Sequence, residues 1–250
     1  MSAVNYWAIV PAAGTGQRFG AELAKQFHSI GDKLVADHTL CRLLSISKIK
    51  KILVPCDTSA KSWADVSAVK DQRIELIAGG AERVHSVLNG LRALVDIAAS
   101  DDWVLVHDMA RPCITSGDIN KLIEQLNDHP VGGILASPIS DTLKKVAPKK
   151  ITSQNAMLSA MQGAIEKTLD RSDYRAAQTP QMFRYGLLVK ALEAMLKEQR
   201  VPTDEASAIE YLGEQAMIIE GRRDNIKITH REDLIIAQAI MGYQETEQCE

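Results

Sequence analysis

Residues 7–20 read WAIVPAAGTGQRFG, an apolar run of strand length that passes directly into a loop of small residues. Similar short apolar runs recur at 52–54, 74–77, 103–106 and 133–136. Their nearly continuous apolarity is typical of strands that are buried on both faces. Apolar residues at helical spacing lie between the runs, at 84–94 and 119–126. This alternation predicts an α/β fold with a mainly parallel sheet and helices on both faces.

The loop after the first run has the composition of a phosphate-binding turn. Its small residues and three glycines allow backbone N–H groups to approach phosphate oxygens, and Arg18 and Lys25 add positive charge. No Gly-Lys-Ser/Thr follows, so the loop is not a P-loop. Phe19 stands where the dinucleotide fingerprint has its third glycine, which argues against a dehydrogenase. A tight strand-to-helix turn with solvated cations is the alternative.

The hexapeptide HDMARP (107–112) follows the fourth strand-like run, at the sheet edge where parallel α/β folds bind ligands. A carboxylate at Asp108, three residues before Arg111, can hold a ribose hydroxyl or a metal ion while the arginine binds phosphate. A surface ion pair uses the same residue types, and the hexapeptide alone favours neither interpretation.

The alternation breaks between Asp141 and Asp170. A lysine-rich stretch there leads into apolar residues at helical spacing, namely Met157, Leu158, Met161, Ile165 and Leu169. We therefore predict a single domain over residues 1–250 with an arm at about 139–172. Exposed apolar residues on such an arm need a partner, which predicts a homodimer.

Composition narrows the class of protein. The chain has 250 residues, of which 46% are apolar, and its net charge of -3 gives no general attraction to nucleic acid or to an anionic membrane. No basic leader and no apolar run of about 18 residues is present, which predicts a cytoplasmic protein without a membrane span. The four cysteines lie far apart without metal-ligand spacing and fit unpaired thiols.

Six segments together resemble the methylerythritol-phosphate cytidylyltransferase family in order and approximate spacing. They are PAAGTGQRF (11–19) with Lys25, GGAERVHSV (79–87), HDMARP, the Thr179-Pro180-Gln181 turn, TDEAS (203–207) and EGRRDNIKIT (220–229). The family has a Rossmann-like nucleotidyltransferase fold and dimerises through an arm. It transfers CMP from CTP to methylerythritol 4-phosphate, a polyol phosphate, with a divalent ion such as Mg²⁺, in the non-mevalonate isoprenoid pathway.

The resemblance implies roles for particular residues. Those that stabilise the transition state at the α-phosphate are Arg18 and Lys25, and those that position the incoming phosphate are Arg171 and Lys227. The CTP-binding residues are Pro11, Ala12, Ala13, Gly14, Thr15, Gly16, Gly80, Ser86 and Asp108. The residues that border the methylerythritol phosphate are Asp108, Arg111, Thr142 and Thr203. Asp108 is also the candidate metal ligand.

The chain departs from the family pattern at three places. Ala81 stands where the family often has Asp, Met109 replaces a common Ala, and the arm is longer than usual. Related cytidylyltransferases that act on ribitol 5-phosphate share most of these loops, so ribitol 5-phosphate is the alternative acceptor. A nucleotide-binding regulator that has lost turnover is the alternative from another class, and the retained set of Arg18, Lys25, Arg171 and Lys227 argues against it.

Overall fold

The computed structural model describes residues 4–14, 19, 23–147 and 163–247. The strands in these residues are β1 (Tyr6–Ile9), β2 (Ser29–Ile30), β3 (Lys33–Leu34), β4 (Ile49–Cys56), β5 (Ile74–Ala78), β6 (Trp103–Val106), β7 (Gly132–Pro138), β8 (Lys144–Val146), β9 (Ile165–Thr168), β10 (Arg175–Arg184) and β11 (Met217–Glu220). The α-helices are α1 (Val35–Leu44), α2 (Arg83–Ala93), α3 (Ser116–Leu126), α4 (Tyr185–Lys197), α5 (Glu205–Tyr211) and α6 (Glu232–Glu247).

Seven strands form the central sheet, in the order β11-β7-β10-β6-β1-β4-β5. β1 runs parallel to β4 and β6, β4 to β5, and β7 to β11, while β10 runs antiparallel to both of its neighbours. The five predicted strands and the mainly parallel sheet are confirmed. β11 was not predicted; it is a short edge strand whose Met217 and Ile218 side chains are exposed.

The helices cover both faces of this sheet, as the alternation of β1 requires. Ala8 and Val10 join the buried cluster that contains residues of α1 and α3. Trp7 and Ile9 point the other way and join the cluster that contains residues of α2, α4 and α5. Both faces of β1 are therefore covered, which explains why its sequence is apolar without interruption.

The segment between β7 and β10 carries a separate two-stranded antiparallel sheet of β8 and β9. Every residue of both strands is exposed. The helical spacing predicted through Ile165 is wrong at that residue, which lies in β9. Pairing with β8 satisfies main-chain hydrogen-bonding groups of β9. Lys145 Nζ in β8 also lies 2.8 Å from Glu166 Oε1 in β9. The predicted helical residues 157, 158 and 161 lie outside the described residues.

Three of the cysteines, Cys41, Cys56 and Cys113, are unpaired thiols in the structure, as predicted. Burial raises the pKa of the Cys56 and Cys113 thiols to about 12, so both stay protonated and unreactive near neutral pH. Among the described helices, none combines the length and the apolarity needed to cross a membrane.

Candidate active site

A cavity of about 560 Å³ opens at the carboxyl edge of the central sheet. Its wall is formed by the loops after β1 and β6, the turn between β5 and α2, and the segment before α6. The predicted site residues on this wall are Pro11, Ala12, Ala13, Gly14, Lys25, Gly80, Ser86, Asp108 and Lys227. The volume lies within the range of small-molecule sites, and the position is the one that open α/β sheets use for ligands.

The loop after β1 is tied to β4 by the main chain. The Ala12 N–H donates to the Pro55 carbonyl at 2.8 Å, and the buried Gln26 side chain donates to the Ala12 carbonyl at 3.0 Å. These bonds keep the small side chains of the loop on the cavity wall. Three further predicted site residues, Thr15, Gly16 and Arg18, lie outside the described residues, and their roles stay predictions.

Lys25 lies at the start of a short 3-10 helix next to this loop. Its Nζ donates to the Ile228 carbonyl at 2.9 Å. Ile228 follows Lys227, so two predicted lysines from opposite ends of the sequence reach the same cavity. A cation pair of this kind attracts phosphate groups.

The turn between β5 and α2 depends on two adjacent glycines. A side chain at Gly79 would lie 2.5 Å from the Ala13 Cβ, and a side chain at Gly80 would collide with the Cβ of His85. Glycine at both positions lets this turn approach the loop after β1. The Gly80 N–H donates to Ser86 Oγ at 3.0 Å, which ties the turn to the first part of α2.

Asp108 accepts from three cationic side chains. Arg83 Nε lies 3.2 Å from Oδ1, while Lys227 Nζ lies 2.8 Å and Arg111 Nε 3.4 Å from Oδ2. Burial alone would raise the pKa of the Asp108 carboxyl, but the charges of Arg83, Lys227 and Arg111 outweigh it and hold this pKa well below its usual range. The Asp108 carboxyl is therefore ionised near neutral pH.

His107 is a buried neutral residue beside Asp108. Burial lowers the pKa of its imidazole to about 4. Its Nε2 lies 3.2 Å from the Arg111 carbonyl, which can only accept, so Nε2 carries the proton. Its Nδ1 therefore accepts from the Thr179 hydroxyl at 2.9 Å, and that hydroxyl oxygen accepts from the Asp108 N–H at 3.0 Å. This chain of bonds holds the main chain of Asp108 in place.

The remaining predicted residues do not line the cavity within a single chain. Arg111 is tied to the cluster through Asp108 and donates to the Asn225 carbonyl at 2.7 Å. Arg171 lies in a 3-10 helix after β9, and its guanidinium donates to the Ser140 carbonyl. Thr142 and Thr203 are exposed. Among the described residues, the cavity is thus lined by Lys227 but not by Arg171, its predicted functional partner.

Comparison with known proteins agrees with these observations. The model of the 2-C-methyl-D-erythritol 4-phosphate cytidylyltransferase family matches residues 6–243. The chain belongs to this family. It is 42% identical over 230 residues to the cytidylyltransferase of Pseudomonas entomophila, covering 92% of each chain. It is 41% identical to that of Pseudomonas aeruginosa, covering 93% of this chain and 94% of that protein.

Solved structures of cytidylyltransferases share the fold. The Francisella tularensis enzyme of the same description superposes with a TM-score of 0.76 at 34% identity, and the match covers 94% of this chain and 99% of that chain. The Rossmann-like nucleotidyltransferase fold is therefore confirmed. The resemblance of the six sequence segments to the cytidylyltransferase family is confirmed as well.

Arg83 and Glu205 are among the site residues of this cytidylyltransferase chain that were not predicted from its sequence. Arg83 lies on the cavity wall, and Glu205 is a buried carboxylate that contacts Arg83. Both belong to segments that carry the resemblance, GGAERVHSV and TDEAS. Their position in those segments could have indicated a functional role, but nothing in the local sequence indicates that the two side chains meet.

Carboxylates are few in the described part of the cavity. Asp108 and Glu82 lie on its wall, and no group of three or more His, Cys, Asp or Glu residues suited to a metal ion occurs among the described residues. Both oxygens of Asp108 already contact cations. These side chains do not form a protein cage for a metal, but they fit a Mg²⁺ ion held mainly by phosphate oxygens and water.

Proposed function

We propose that this chain transfers CMP from CTP to 2-C-methyl-D-erythritol 4-phosphate, giving 4-diphosphocytidyl-2-C-methyl-D-erythritol and pyrophosphate in the non-mevalonate isoprenoid pathway. The observation that carries the proposal is the meeting of Lys25 and Lys227 with two glycine-containing turns around one cavity, in a chain of this family. The three unpaired thiols are typical of a reducing compartment and support a cytoplasmic location.

The reaction is an in-line displacement at the α-phosphorus of CTP. A phosphate oxygen of the acceptor forms the new P–O bond, and the bond to the pyrophosphate leaving group breaks. A phosphate monoester is mostly doubly ionised at pH 7, so the acceptor needs no general base. This agrees with the state of His107, whose two ring nitrogens are both engaged with other protein groups.

Binding of CTP is assigned to the cavity wall. Pro11, Ala12, Ala13 and Gly14 bring main chain rather than bulky side chains against the nucleotide, and Gly80 and Ser86 do so from the facing turn. Such main-chain surfaces bind sugar and phosphate without adding charge. Thr15 and Gly16 lie outside the described residues, and their part in CTP binding is proposed from the family resemblance alone.

Lysine and arginine side chains act both at the α-phosphate of CTP and at the acceptor phosphate. Lys25, with Arg18, stabilises the negative charge that grows at the α-phosphate in the transition state. Lys227, with Arg171, holds the acceptor phosphate close to the nucleotide against their mutual repulsion. Asp108, Arg111, Thr142 and Thr203 border the acceptor.

Mg²⁺ is proposed as the divalent ion of the reaction. Asp108 is the predicted protein residue that would hold the ion, and the ion would supply positive charge to the phosphate groups of CTP. The protein contributes cations and shape rather than a complete set of ligands. If this is right, EDTA abolishes turnover and added Mg²⁺ restores it, whereas full activity in EDTA contradicts the role of the metal.

The active unit is proposed to be a homodimer. The exposed strands β8 and β9 carry Val146 and Ile165, which are 54% and 62% exposed in the single chain. Arg171 follows β9 and does not lie on the wall of its own chain's cavity. A second copy that covers the apolar residues and delivers its Arg171 to the Lys227 cavity accounts for both observations.

The experiment that tests the proposed function compares acceptors directly. Purified protein with CTP and Mg²⁺ is given methylerythritol 4-phosphate or ribitol 5-phosphate, and pyrophosphate release is measured. We expect kcat/KM to be much higher with methylerythritol 4-phosphate. Preference for ribitol 5-phosphate identifies the alternative acceptor, and no pyrophosphate with either one, alongside measurable CTP binding, favours a silent regulator.

A further inference from the structure

We propose that Glu205 and Arg83 are positioning residues: Glu205 orients Arg83, and Arg83 fixes the Asp108 carboxylate that places the Lys227 ammonium for the acceptor phosphate. The inference rests on the proposed function, and within it on the role of Lys227. Sequence patterns gave no role in the reaction to either Arg83 or Glu205.

The first step is the contact between Glu205 and Arg83. Glu205 lies in the first turn of α5 and is only 1% exposed. Its Oε1 accepts from Arg83 Nη1 at 2.6 Å, and its Oε2 accepts from Arg83 Nη2 at 3.0 Å. This two-pronged geometry fixes the plane of the guanidinium as well as its position. Arg83 therefore cannot turn toward an entering phosphate without breaking two charged hydrogen bonds.

The second step joins Arg83 to Asp108. With both Nη atoms bound to Glu205, the Nε–H of the same guanidinium points at Asp108 Oδ1, 3.2 Å away. Arg83 thus bridges two buried carboxylates that come from different parts of the fold, Asp108 after β6 and Glu205 in α5. A lysine has a single ammonium and no planar fork, so it cannot reproduce this bridge.

The third step joins Asp108 to Lys227. Asp108 Oδ2 accepts from Lys227 Nζ at 2.8 Å and from Arg111 Nε at 3.4 Å. Because Arg83 binds one oxygen and Arg111 binds the other, the Asp108 carboxylate is held in one orientation. Because the lysine side chain is long and flexible, its ammonium has a defined position only where a fixed acceptor holds it. Asp108 is that acceptor.

The charges make the arrangement suitable for an anion. Arg83, Arg111 and Lys227 contribute three positive charges, and Asp108 and Glu205 two negative ones. The cluster therefore keeps one net positive charge at the cavity, and Lys227 is its member with the most mobile side chain. The Lys227 ammonium is already in position when the acceptor phosphate binds, so less entropy is lost in ordering this side chain in the transition state.

A purely structural ion pair is the competing explanation, and a double variant separates the two. Arg83→Met with Glu205→Leu removes both charges and replaces them with apolar groups of similar volume, which buried ion pairs often tolerate. Arg83→Lys keeps the charge and removes the fork. The matched control is Arg92→Met with Glu193→Leu, an exposed 3.9 Å ion pair between the same helix α2 and α4.

We expect the double variant and Arg83→Lys each to lose roughly 30- to 100-fold in kcat/KM for methylerythritol 4-phosphate, with the KM for CTP within about twofold of wild type. The control should match wild type. Crystal structures of the variants should show the contact between Lys227 Nζ and Asp108 Oδ2 lost, a readout that does not depend on turnover.

Several outcomes overturn the proposal. A folded double variant with wild-type kcat/KM for the acceptor makes the pair structural only. If the only change is a higher KM for CTP, Arg83 acts in nucleotide binding and not on the acceptor. If the double variant does not fold, Arg83→Lys decides, and wild-type behaviour there refutes the positioning role. Absence of turnover in the wild-type protein refutes the proposed function instead. Even then, if the contact between Lys227 and Asp108 is retained in both variant structures, the positioning role of Arg83 and Glu205 is refuted.

Discussion

At the scale of single residues, the cavity depends on a few polar side chains whose partners lie far away in the sequence. Lys25 is the clearest case, because its Nζ contacts the Ile228 carbonyl while the side chain lines the cavity. In the proposed reaction, a cation at this position would matter most when negative charge grows at the α-phosphate. Its contribution should therefore appear in turnover more than in stability.

Lys25→Ala tests this directly. We expect kcat to fall by roughly 10²–10³, because the lost interaction is strongest in the transition state. Loss of one hydrogen bond to Ile228 should cost only about 1 kcal/mol in the free energy of unfolding. Steady-state kinetics and thermal melting measure the two effects, with the exposed Lys33→Ala as control. A sharply lower Tm with normal turnover of the folded fraction makes Lys25 structural.

His107 gives a prediction about pH. Its pKa is about 4 in the folded protein against an ordinary value of 6.5, so the unfolded chain binds more protons between these values. The stability contributed by the neutral imidazole is complete above about pH 6.5 and is lost as the pH falls toward 4. Between pH 7 and pH 5 this amounts to about 2 kcal/mol in the free energy of unfolding.

His107→Gln should remove that dependence. Urea unfolding at pH 7 and pH 5 is compared for the variant and for wild type, since Asp108 titrates too low to contribute in this window. We expect the variant to be less stable at pH 7 but to lose about 2 kcal/mol less than wild type on acidification. Equal losses in both proteins contradict the assignment of a buried neutral imidazole.

At the scale of elements, the turn between β5 and α2 brings a helix close to the glycine-rich loop. Gly79 lies against Ala13 of that loop, and Gly80 lies against His85 of the helix that follows. The contacts leave no room for a Cβ at either position. The element therefore depends on glycine for close approach, and its geometry shapes the proposed CTP site.

Gly80→Ala should damage both stability and CTP binding. The added methyl group collides with His85, so the turn must move and the bond from the Gly80 N–H to Ser86 is distorted. We expect a loss of roughly 1–3 kcal/mol in the free energy of unfolding and a KM for CTP raised by about tenfold. Gly117→Ala in α3 is the control, because the nearest atom to its new Cβ is 3.7 Å away. If Gly80→Ala behaves like the control, the turn is not part of the nucleotide site.

At the scale of the whole molecule, Lys227 of one chain lines the cavity, whereas Arg171 of the same chain lies in an exposed 3-10 helix after β9. A dimer related by a two-fold axis would bring each Arg171 to the cavity of the other chain. In that arrangement the two residues proposed to hold the acceptor phosphate would come from different chains. Each chain would then contribute residues to both active sites of the dimer.

Mixed dimers test the shared site. Arg171→Ala and Lys227→Ala should each be nearly inactive alone. When the two variants are unfolded and refolded together in equal amounts, about half of the dimers contain one chain of each type. Each such dimer has one intact site of two, so roughly a quarter of wild-type activity should return. The two variants refolded separately and then mixed are the control. Heterodimers without activity would mean that Arg171 acts in its own chain or not at all, and Arg175 becomes the next candidate.

The sequence by itself determined the class of fold and the family. Five strands were predicted from runs such as 103–106, because burial on both faces of a parallel sheet leaves an apolar pattern within a few neighbouring residues. Helices α2 and α3 were predicted for the same kind of reason, since a helix that packs on a sheet shows its buried stripe locally. Among the described residues, the family segments lie at the ends of these elements or inside them: 11–14 follows β1, 107–112 follows β6, 83–87 and 205–207 begin α2 and α5, and 179–181, predicted as a turn, lies inside β10.

Only the tertiary structure decided which charged residues meet. Arg83 and Glu205 are 122 residues apart, and each occurs in a segment where a solvated charge would look the same. Pairing of β8 with β9 overrode the helical spacing at Ile165 in the same way. Ion pairs and strand pairs depend on distance and burial across the fold, and a local pattern of residue types contains neither quantity.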